Sequence, residues 1–489
     1  MSANLAMPSF PLPLRILVAG ESVLDRYVWG TVERVSPEAP IPVLRVQRRE
    51  ERLGNAAFVC ANLSSLGAKP ALLSLIGEDP NGMLITQLLA ALGVDISSVV
   101  RDPGRPTIVK ERMLGWVMSA QRATQQLLRV DSEDVRPIEP EIEARLLELL
   151  ETKIAAMDGA LVSDLNKGVL TPKLLRVLIE GGRRASKPVI VDPRLSADFS
   201  IYRGATALTP NRFEAQRATG LDLSLADNWP RAAAHLIEQL DLDCCLITLD
   251  RDGMYLGLRQ GGGGHIPTQP RDVYDVVGAG DVVLTTFGLL LAGGADGPTA
   301  ARIANAAAGV QVSRQGASII SRQDIDCALR YSHRSSENKI VGLQELAVRL
   351  EQNRGEGRRI CYTNGCFDLF RAGYVHLLEF ARSQGDLLVV GLASDSGARR
   401  PQRIGQPIYS QEDRTRIVAA LAAVDYVTVV DFTQADQAIR LIRPDVLIEG
   451  EDYQGNLLAD ARFVESYGGR VVLAPRLDKR ASASTSWCG

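Results

Sequence analysis

The chain has 489 residues, 46% hydrophobic and 23% charged, which is too long for one ordinary core and too apolar for extensive disorder, so about two to four domains are expected. With 55 basic against 58 acidic side chains the formal charge is −3, which leaves no whole-protein field for nucleic acid or an anionic membrane. Any phosphate must be held locally. The seven cysteines form no CxxC pair and the four histidines no metal-ligand spacing, so no His/Cys metal site is expected and the thiols read as reduced. Met1 to Pro13 has no basic start and no apolar run of transmembrane length follows, which points to the cytoplasm.

From Leu14 the chain alternates short apolar runs, such as Leu14–Ala19, Pro188–Asp192 and Cys244–Thr248, with stretches of helical spacing at Glu141–Met157, Arg231–Leu240 and Thr299–Val312. This rhythm predicts a mainly parallel α/β sheet covered by helices. Val32–Val46, with Pro37, Pro40 and Pro42, reads as an edge strand or small β flap able to close over a ligand and to pair two copies into a homodimer. Gly261–Gly264 reads as a loose hairpin turn. After Arg330 the polar stretch Ser332–Asn338 reads as a linker, and a short amphipathic helix around Leu343–Leu350 follows. A fresh Rossmann-like series then has strands expected at Ile360–Thr363, Leu387–Leu392, Tyr426–Val430, Val446–Ile448 and Val471–Leu473. The expected division is residues 1–330, a connecting 331–357, and 358–489.

The strongest chemical signal is Asp275-Val-Val-Gly278-Ala-Gly280-Asp281 ahead of the apolar run Val282–Leu291. A Gly-rich turn feeding a helix lets backbone N–H groups approach an anion, and the helix dipole assists. Asp281 at such a hole can take the proton of an attacking hydroxyl. Alone, the motif fits a helix N-cap with ordinary glycines equally well. It lacks the third glycine of a dinucleotide fingerprint, and the chain has no Gly-Lys pair for a Walker loop.

Motif order adds what the single motif lacks. AGESVLDRY (19–27), SPEAPIPV (36–43), GNAAF (54–58), VDPR (191–194), TPNRFE (209–214), ITLDRDGM (247–254), the GAGD loop and NAAAG (305–309) occur in sequence. Across Leu14 to about Arg330 the chain resembles the ribokinase-type (PfkB) sugar kinases, and among them the heptose 7-phosphate kinases that are fused to an adenylyltransferase in ADP-heptose (lipopolysaccharide core) synthesis. The resemblance implies a ribokinase-like domain with Asp281 as catalytic base and Gly278 and Gly280 as the anion hole. It implies ATP beside Asn211, Glu214, Asp252, Gly253 and Asn305, with Mg²⁺ carried on ATP near Glu214, and a sugar phosphate beside Asp25, Gly54, Asn55 and Lys167. Asp164 and Arg194 match family segments in which loop-building and ligand contact are equally expected. Departures lie at Asn55 and Phe58, where the family reads GGAAN, at Glu21, where it reads VGD, and at Val277 and Val282, which replace threonines.

The second series carries Thr363-Asn-Gly-Cys-Phe367-Asp368, then Arg371-Ala-Gly-Tyr374 before a helix expected at Val375–Arg382. With Ser394-Asp395, Glu412-Asp413-Arg414 and Glu449–Tyr453 it resembles the cytidylyltransferase-like superfamily across Ile360 to about Leu477, which implies a nucleotidyltransferase site at Thr363, Phe367, Asp368, Arg371, Tyr374 and Arg414. The superfamily's HxGH histidines are here Arg371 and Tyr374, and neither reproduces an imidazole donor. His376 points elsewhere on a helix. Gln402 and Gln406 replace basic residues despite Arg399, Arg400 and Arg403 nearby, and Ser482–Ser486 ends with three residues left. Impaired transfer of AMP in this domain is therefore expected, with two alternatives: a fully bifunctional enzyme, or a regulatory protein that binds nucleotide or sugar phosphate.

Overall fold

The computed structural model describes residues 7–8, 13–116, 125–268, 274–332, 339–355, 357–396, 407–431, 435–450 and 457–475. The stretch 333–338 of the expected linker, Arg399, Arg400, Gln402, Arg403, Gln406, the segment Glu451–Tyr453 and the run Ser482–Ser486 lie outside the described residues. The chain divides into two compact units, Met1–Leu329 and Arg330–Gly489.

In the first unit nine strands make the main sheet: β1 (Arg15–Gly20), β4 (Lys69–Gly77), β5 (Asp95–Asp102), β8 (Gly159–Ser163), β9 (Val189–Asp192), β10 (Ala207–Leu208), β11 (Cys244–Thr248), β12 (Met254–Leu258) and β13 (Gly264–Ile266). Their order is β13-β12-β11-β10-β9-β8-β1-β4-β5, every pair being parallel except those that β12 makes with β11 and β13. The apolar runs of β1 and β8 are buried along nearly their whole length, as parallel strands covered on both faces require. One covering helix, Ala279–Ala292, is buried from Val282 to Leu290, which explains why its sequence is apolar all round. The expected turn at Gly261–Gly264 joins β12 to β13, with Gly261 and Gly262 both left-handed.

A second, four-stranded sheet is made by β2 (Ser22–Val35), β3 (Pro42–Asn55), β6 (Ile108–Trp116) and β7 (Gln125–Ser132) in the order β3-β2-β6-β7. This flap is larger than the Val32–Val46 stretch expected. The signal was weak because β3 carries charges on both faces, and the arginines cover aromatic rings: Arg48 lies 4.9 Å from the Trp29 centroid and Arg52 5.1 Å from that of Tyr27.

The second unit is an all-parallel sheet of β14 (Ile360–Gly365), β15 (Leu387–Ala393), β16 (Tyr426–Val430), β17 (Val446–Gly450) and β18 (Arg470–Ala474), ordered β16-β15-β14-β17-β18. The amphipathic helix Leu343–Gly355, expected between the domains, belongs to this unit's core, where Leu346 and Leu350 pack with Ile360, Tyr362 and Leu447. Ile340, ahead of this helix, bridges to Val427 in parallel at the sheet edge.

Candidate active sites

The carboxyl ends of parallel strands are where ligands bind in such sheets, and there β1 presents Glu21, β8 Asp164, β9 Asp192 and β10 Asn211. The helix Ala279–Ala292 starts among them. Its cap, Gly278, has φ 77°, and a Cβ there would lie 2.8 Å from Phe58 Cε1, so both conformation and space demand glycine. Asp281 stands in the first turn, and its carboxylate has no hydrogen-bond partner among the described residues. Its surface is partly reachable by water, yet protein surrounds the charge, and this burial together with the Asp25 carboxylate pushes it up to about 7, opposed by the Lys110 ammonium. A carboxyl so poised is suited to general-base work near neutrality.

Asp25 is buried on β2 and accepts from Arg112 Nη1 at 2.5 Å. A Cβ at Gly54 would lie 2.7 Å from Asp25 Oδ2, so the glycine makes room for this carboxylate. Asn55 does not reach outward. Its Nδ2 donates to the Glu21 carbonyl at 3.1 Å and its Oδ1 accepts from Ser163 Oγ at 3.1 Å, with φ at 51°. Lys167 Nζ is bound to Glu133 at 2.6 Å. The substituted Glu21 is buried and takes the N–H groups of Leu165 and Lys167, both at 3.0 Å, so it bolts the 164–168 loop to β1. Burial and neighbouring Asp164 push Glu21 up to about 7. Asp164 in turn accepts from Tyr202 Oη at 2.7 Å, and Arg194 reaches Asn166 Oδ1 at 2.9 Å, so both serve the loop.

On the nucleotide side, Asn211 and Glu214 form a capping box at the helix Arg212–Thr219: Asn211 Oδ1 takes the Glu214 N–H at 2.9 Å and Glu214 Oε2 the Asn211 N–H at 2.8 Å. Burial raises the Glu214 carboxyl above its usual range, opposed by the backbone N–H and the side chain of Asn211. Asp252 is tied to Arg212 at 2.6 Å, Gly253 turns the chain from β11 to β12 at φ 92°, and Asn305 donates to the Pro267 carbonyl at 3.0 Å. These three build the site's edges. Asp192 lies beside the anion hole, 3.9 Å from where a Gly280 Cβ would be, and burial with the charges of Glu214, Asp281 and Asp164 raises it well above the usual carboxylate range.

In the second unit, Thr363 is buried near the end of β14 and the chain then passes through left-handed Phe367 and Leu369. Phe367 packs into the core with its ring 5.2 Å from Tyr374, and the Arg371 guanidinium lies 5.8 Å from the Tyr374 centroid. The helix starts at Ala372, three residues before the expected Val375, so Arg371 is its cap residue and Tyr374 sits in its first turn. Asp368 accepts the N–H groups of Ile408 at 2.9 Å and Tyr409 at 3.2 Å, which hold it below the usual carboxylate range against the opposing effect of burial. Arg414 is fully buried and binds the carbonyls of Cys366, Ala393 and Tyr409 and the carboxylate of Asp395. It clamps three loops and is not free to grip a ligand.

Comparison with known proteins now fits this geometry. A profile for the pfkB family carbohydrate kinases matches residues 14–324 and one described as cytidylyltransferase-like matches 362–476. The Bifunctional protein HldE of Geobacter sulfurreducens is 42% identical over 96% of this chain and 94% of its own, and that of Geotalea uraniireducens 41% over the same shares. The chain belongs to the bifunctional HldE family. Its first unit is a sugar kinase of the pfkB family that uses ATP. Solved structures carry the fold alone: Arabidopsis thaliana ribokinase with ribose and ATP (TM-score 0.52, 19% identical, 65% of this chain, 99% of that one) and Escherichia coli phosphofructokinase-2 with substrates and products (0.54, 17%, 65% and 99%). No described helix is long and apolar enough to cross a membrane.

End-to-end likeness to HldE proteins favours the two-activity reading over the impaired transferase expected from the lost histidines. Three further residues of the kinase site have no role that the sequence alone assigns. Asp275 braces the anion-hole loop by accepting from Val277 N at 3.0 Å and Gly316 N at 2.9 Å. Glu21 stands in the sequence only as a departure from VGD, and its buried carboxylate holds the 164–168 loop. Lys110, on a strand of the flap, stands in no motif.

Proposed function

We propose that the chain phosphorylates D-glycero-D-manno-heptose 7-phosphate at C1 with ATP, giving the 1,7-bisphosphate, and transfers AMP from ATP to heptose 1-phosphate, both steps serving ADP-heptose synthesis. The kinase is assigned to residues 1–330 and the transferase to 358–489, with 331–357 between them. The observation that carries the kinase half is Asp281: a carboxyl without a hydrogen-bond partner among the described residues, pushed up to about 7, in the first turn of a helix capped by left-handed Gly278. The acceptor hydroxyl lies between Asp25 and Asp281, gives its proton to Asp281, and its oxygen forms the new bond to phosphorus while ADP leaves with the electron pair. The N–H groups at Gly278 and Gly280 stabilise charge gathering on the transferring group.

Magnesium fits this site. Among the described residues no group of three ligating side chains could hold a metal unaided, but Asp192 is crowded by the like charges of Glu214, Asp281 and Asp164, which a cation would relieve. One or two carboxylates with nucleotide phosphates are the usual donor set for Mg²⁺, which supplies charge neutralisation on ATP. Support for the transferase half is the length of the likeness to proteins named bifunctional and the intact loop clamp at Arg414. The exposed apolar residues Val35, Ile41, Val46 and Leu128 on the flap support a homodimer, which a monomer mass by light scattering would remove. The deciding assay is product formation by the purified chain. ADP release with heptose 7-phosphate that survives Asp281→Asn refutes the kinase assignment, and absence of pyrophosphate release from ATP and heptose 1-phosphate refutes the second activity in favour of an impaired domain.

A further inference from the structure

The flap delivers a cation to the reaction centre that its neighbours leave uncommitted. In the register of β2 and β6, Asp25 lies opposite Lys110, and Tyr27 opposite Arg112. Residues opposite each other on paired strands share a face, and alternation puts Lys110 and Arg112 on the same one. That this face carries the Asp25 carboxylate is fixed by the Arg112–Asp25 bond at 2.5 Å. On its other side Lys110 stands opposite Asp131 of β7, but that carboxylate is held by both ends of the Arg129 fork at 2.9 Å. Each acidic neighbour across the strands is therefore engaged by an arginine, and Lys110 forms no ion pair with any described residue. Its positive field nonetheless reaches Asp281, on a helix some 170 residues further along the chain.

From this placement we infer that Lys110 is a catalytic residue of the kinase, its ammonium contacting an oxygen of the phosphoryl group as it passes from ATP to the acceptor. The inference rests on the kinase reading above. A strongly hydrated point charge on a flexible stem can follow a moving phosphoryl group, as a forked guanidinium locked to Asp25 cannot. Lys110 neither gives nor takes a proton. The acceptor hydroxyl loses its proton to Asp281, the acceptor oxygen bonds to phosphorus, and the ADP oxygen leaves with its electron pair, while the ammonium offsets charge on the oxygens in between. A phosphate on the far end of the acceptor would lie away from the Asp25–Asp281 pair, which is why the transferring group is the one assigned.

The test uses the full chain with ATP and heptose 7-phosphate, and non-phosphorylated heptose as a second acceptor. Lys110→Met is expected to lower kcat about 100-fold for both acceptors, with KM changed by no more than about threefold, and Lys110→Arg to recover about a tenth of the wild-type rate. Thermal melting of Lys110→Met close to wild type separates lost chemistry from lost fold. An unchanged kcat overturns the inference, as does a defect confined to KM for the phosphorylated acceptor, which would assign the cation to the acceptor's own phosphate. Asp281→Asn runs alongside. Its inactivity with a fully active Lys110→Met sinks this inference alone, whereas its full activity sinks the kinase reading.

Discussion

The two candidate sites treat charge in opposite ways. In the kinase unit two groups at the reaction centre are left uncommitted among the described residues, Asp281 without a hydrogen-bond partner for its carboxylate and Lys110 without a counter-ion, and Asp192 sits among like charges. In the transferase unit Arg414 spends its donors on three carbonyls and Asp395, and Asp368 receives two backbone N–H groups. The first site stores electrostatic tension that a ligand can relieve; the second spends its charges on loop geometry. Perturbed ionisation marks working groups when it is not consumed by structural pairing.

The largest expected effect tests the first half of that contrast. Asp281→Asn should lower kcat for phosphoryl transfer by about 10³-fold while leaving ATP binding nearly intact, since a general base acts in the transition state. In the wild type, kcat/KM should fall about tenfold per unit as pH drops below the Asp281 value of about 7, because the base must be ionised, and should level off above it. A flat profile across that range would mean that Asp281 takes no proton.

The second prediction tests the other half. Arg414→Ala removes the buried guanidinium that ties the carbonyls of Cys366, Ala393 and Tyr409 together, and should destabilise the second unit by about 3 kcal/mol. Hydrogen exchange should quicken in β14 and β15 but not in β1, and pyrophosphate release should be lost while ADP release with heptose 7-phosphate persists. If exchange were unaltered and only affinity for ATP fell, Arg414 would be a ligand after all.

Much of this was legible in the chain itself, and what escaped has a physical reason. The GAGD turn was readable because the positive φ and the close approach at Gly278 both demand glycine. Asn55 misled because its side chain looks like a sugar contact but spends both ends on Glu21 and Ser163. Arg414 misled in the same way. Lys110 was invisible because its meaning lies in strand register, which joins residues 85 positions apart and leaves no local pattern. The flap itself exceeds what the sequence shows for a related cause, since β3 carries charges on both faces and its arginines lie over the rings of Tyr27 and Trp29.

A third prediction turns tension into stability. The Asp281 carboxylate is held above its ordinary value, so the folded state favours its protonated form: that contribution is complete below about 3.8 and is lost as pH rises through about 7. Asp281→Asn should therefore be more stable than wild type by about 2 kcal/mol at pH 8, after allowance for water reaching the carboxylate, and show no advantage near pH 4. Loss of activity with gain of stability is what a strained functional group predicts. Equal stability at both pH values would place the tension elsewhere.

The smallest effect concerns the room made for Asp25. A methyl at residue 54 would lie 2.7 Å from Asp25 Oδ2, closer than unstrained contact allows, but the carboxylate can turn about its own bond while Arg112 still holds Oδ1. Gly54→Ala should thus misplace the group without expelling it, raising KM for the sugar about tenfold with kcat little altered, because a hydroxyl contact made equally in ground and transition states is uniform binding. The matched change at Gly373, in the first turn of the transferase helix where an added Cβ meets open space, should leave pyrophosphate release within about twofold of wild type. An equal penalty at both glycines would mean that crowding is no guide to which site is built tightly around its substrate.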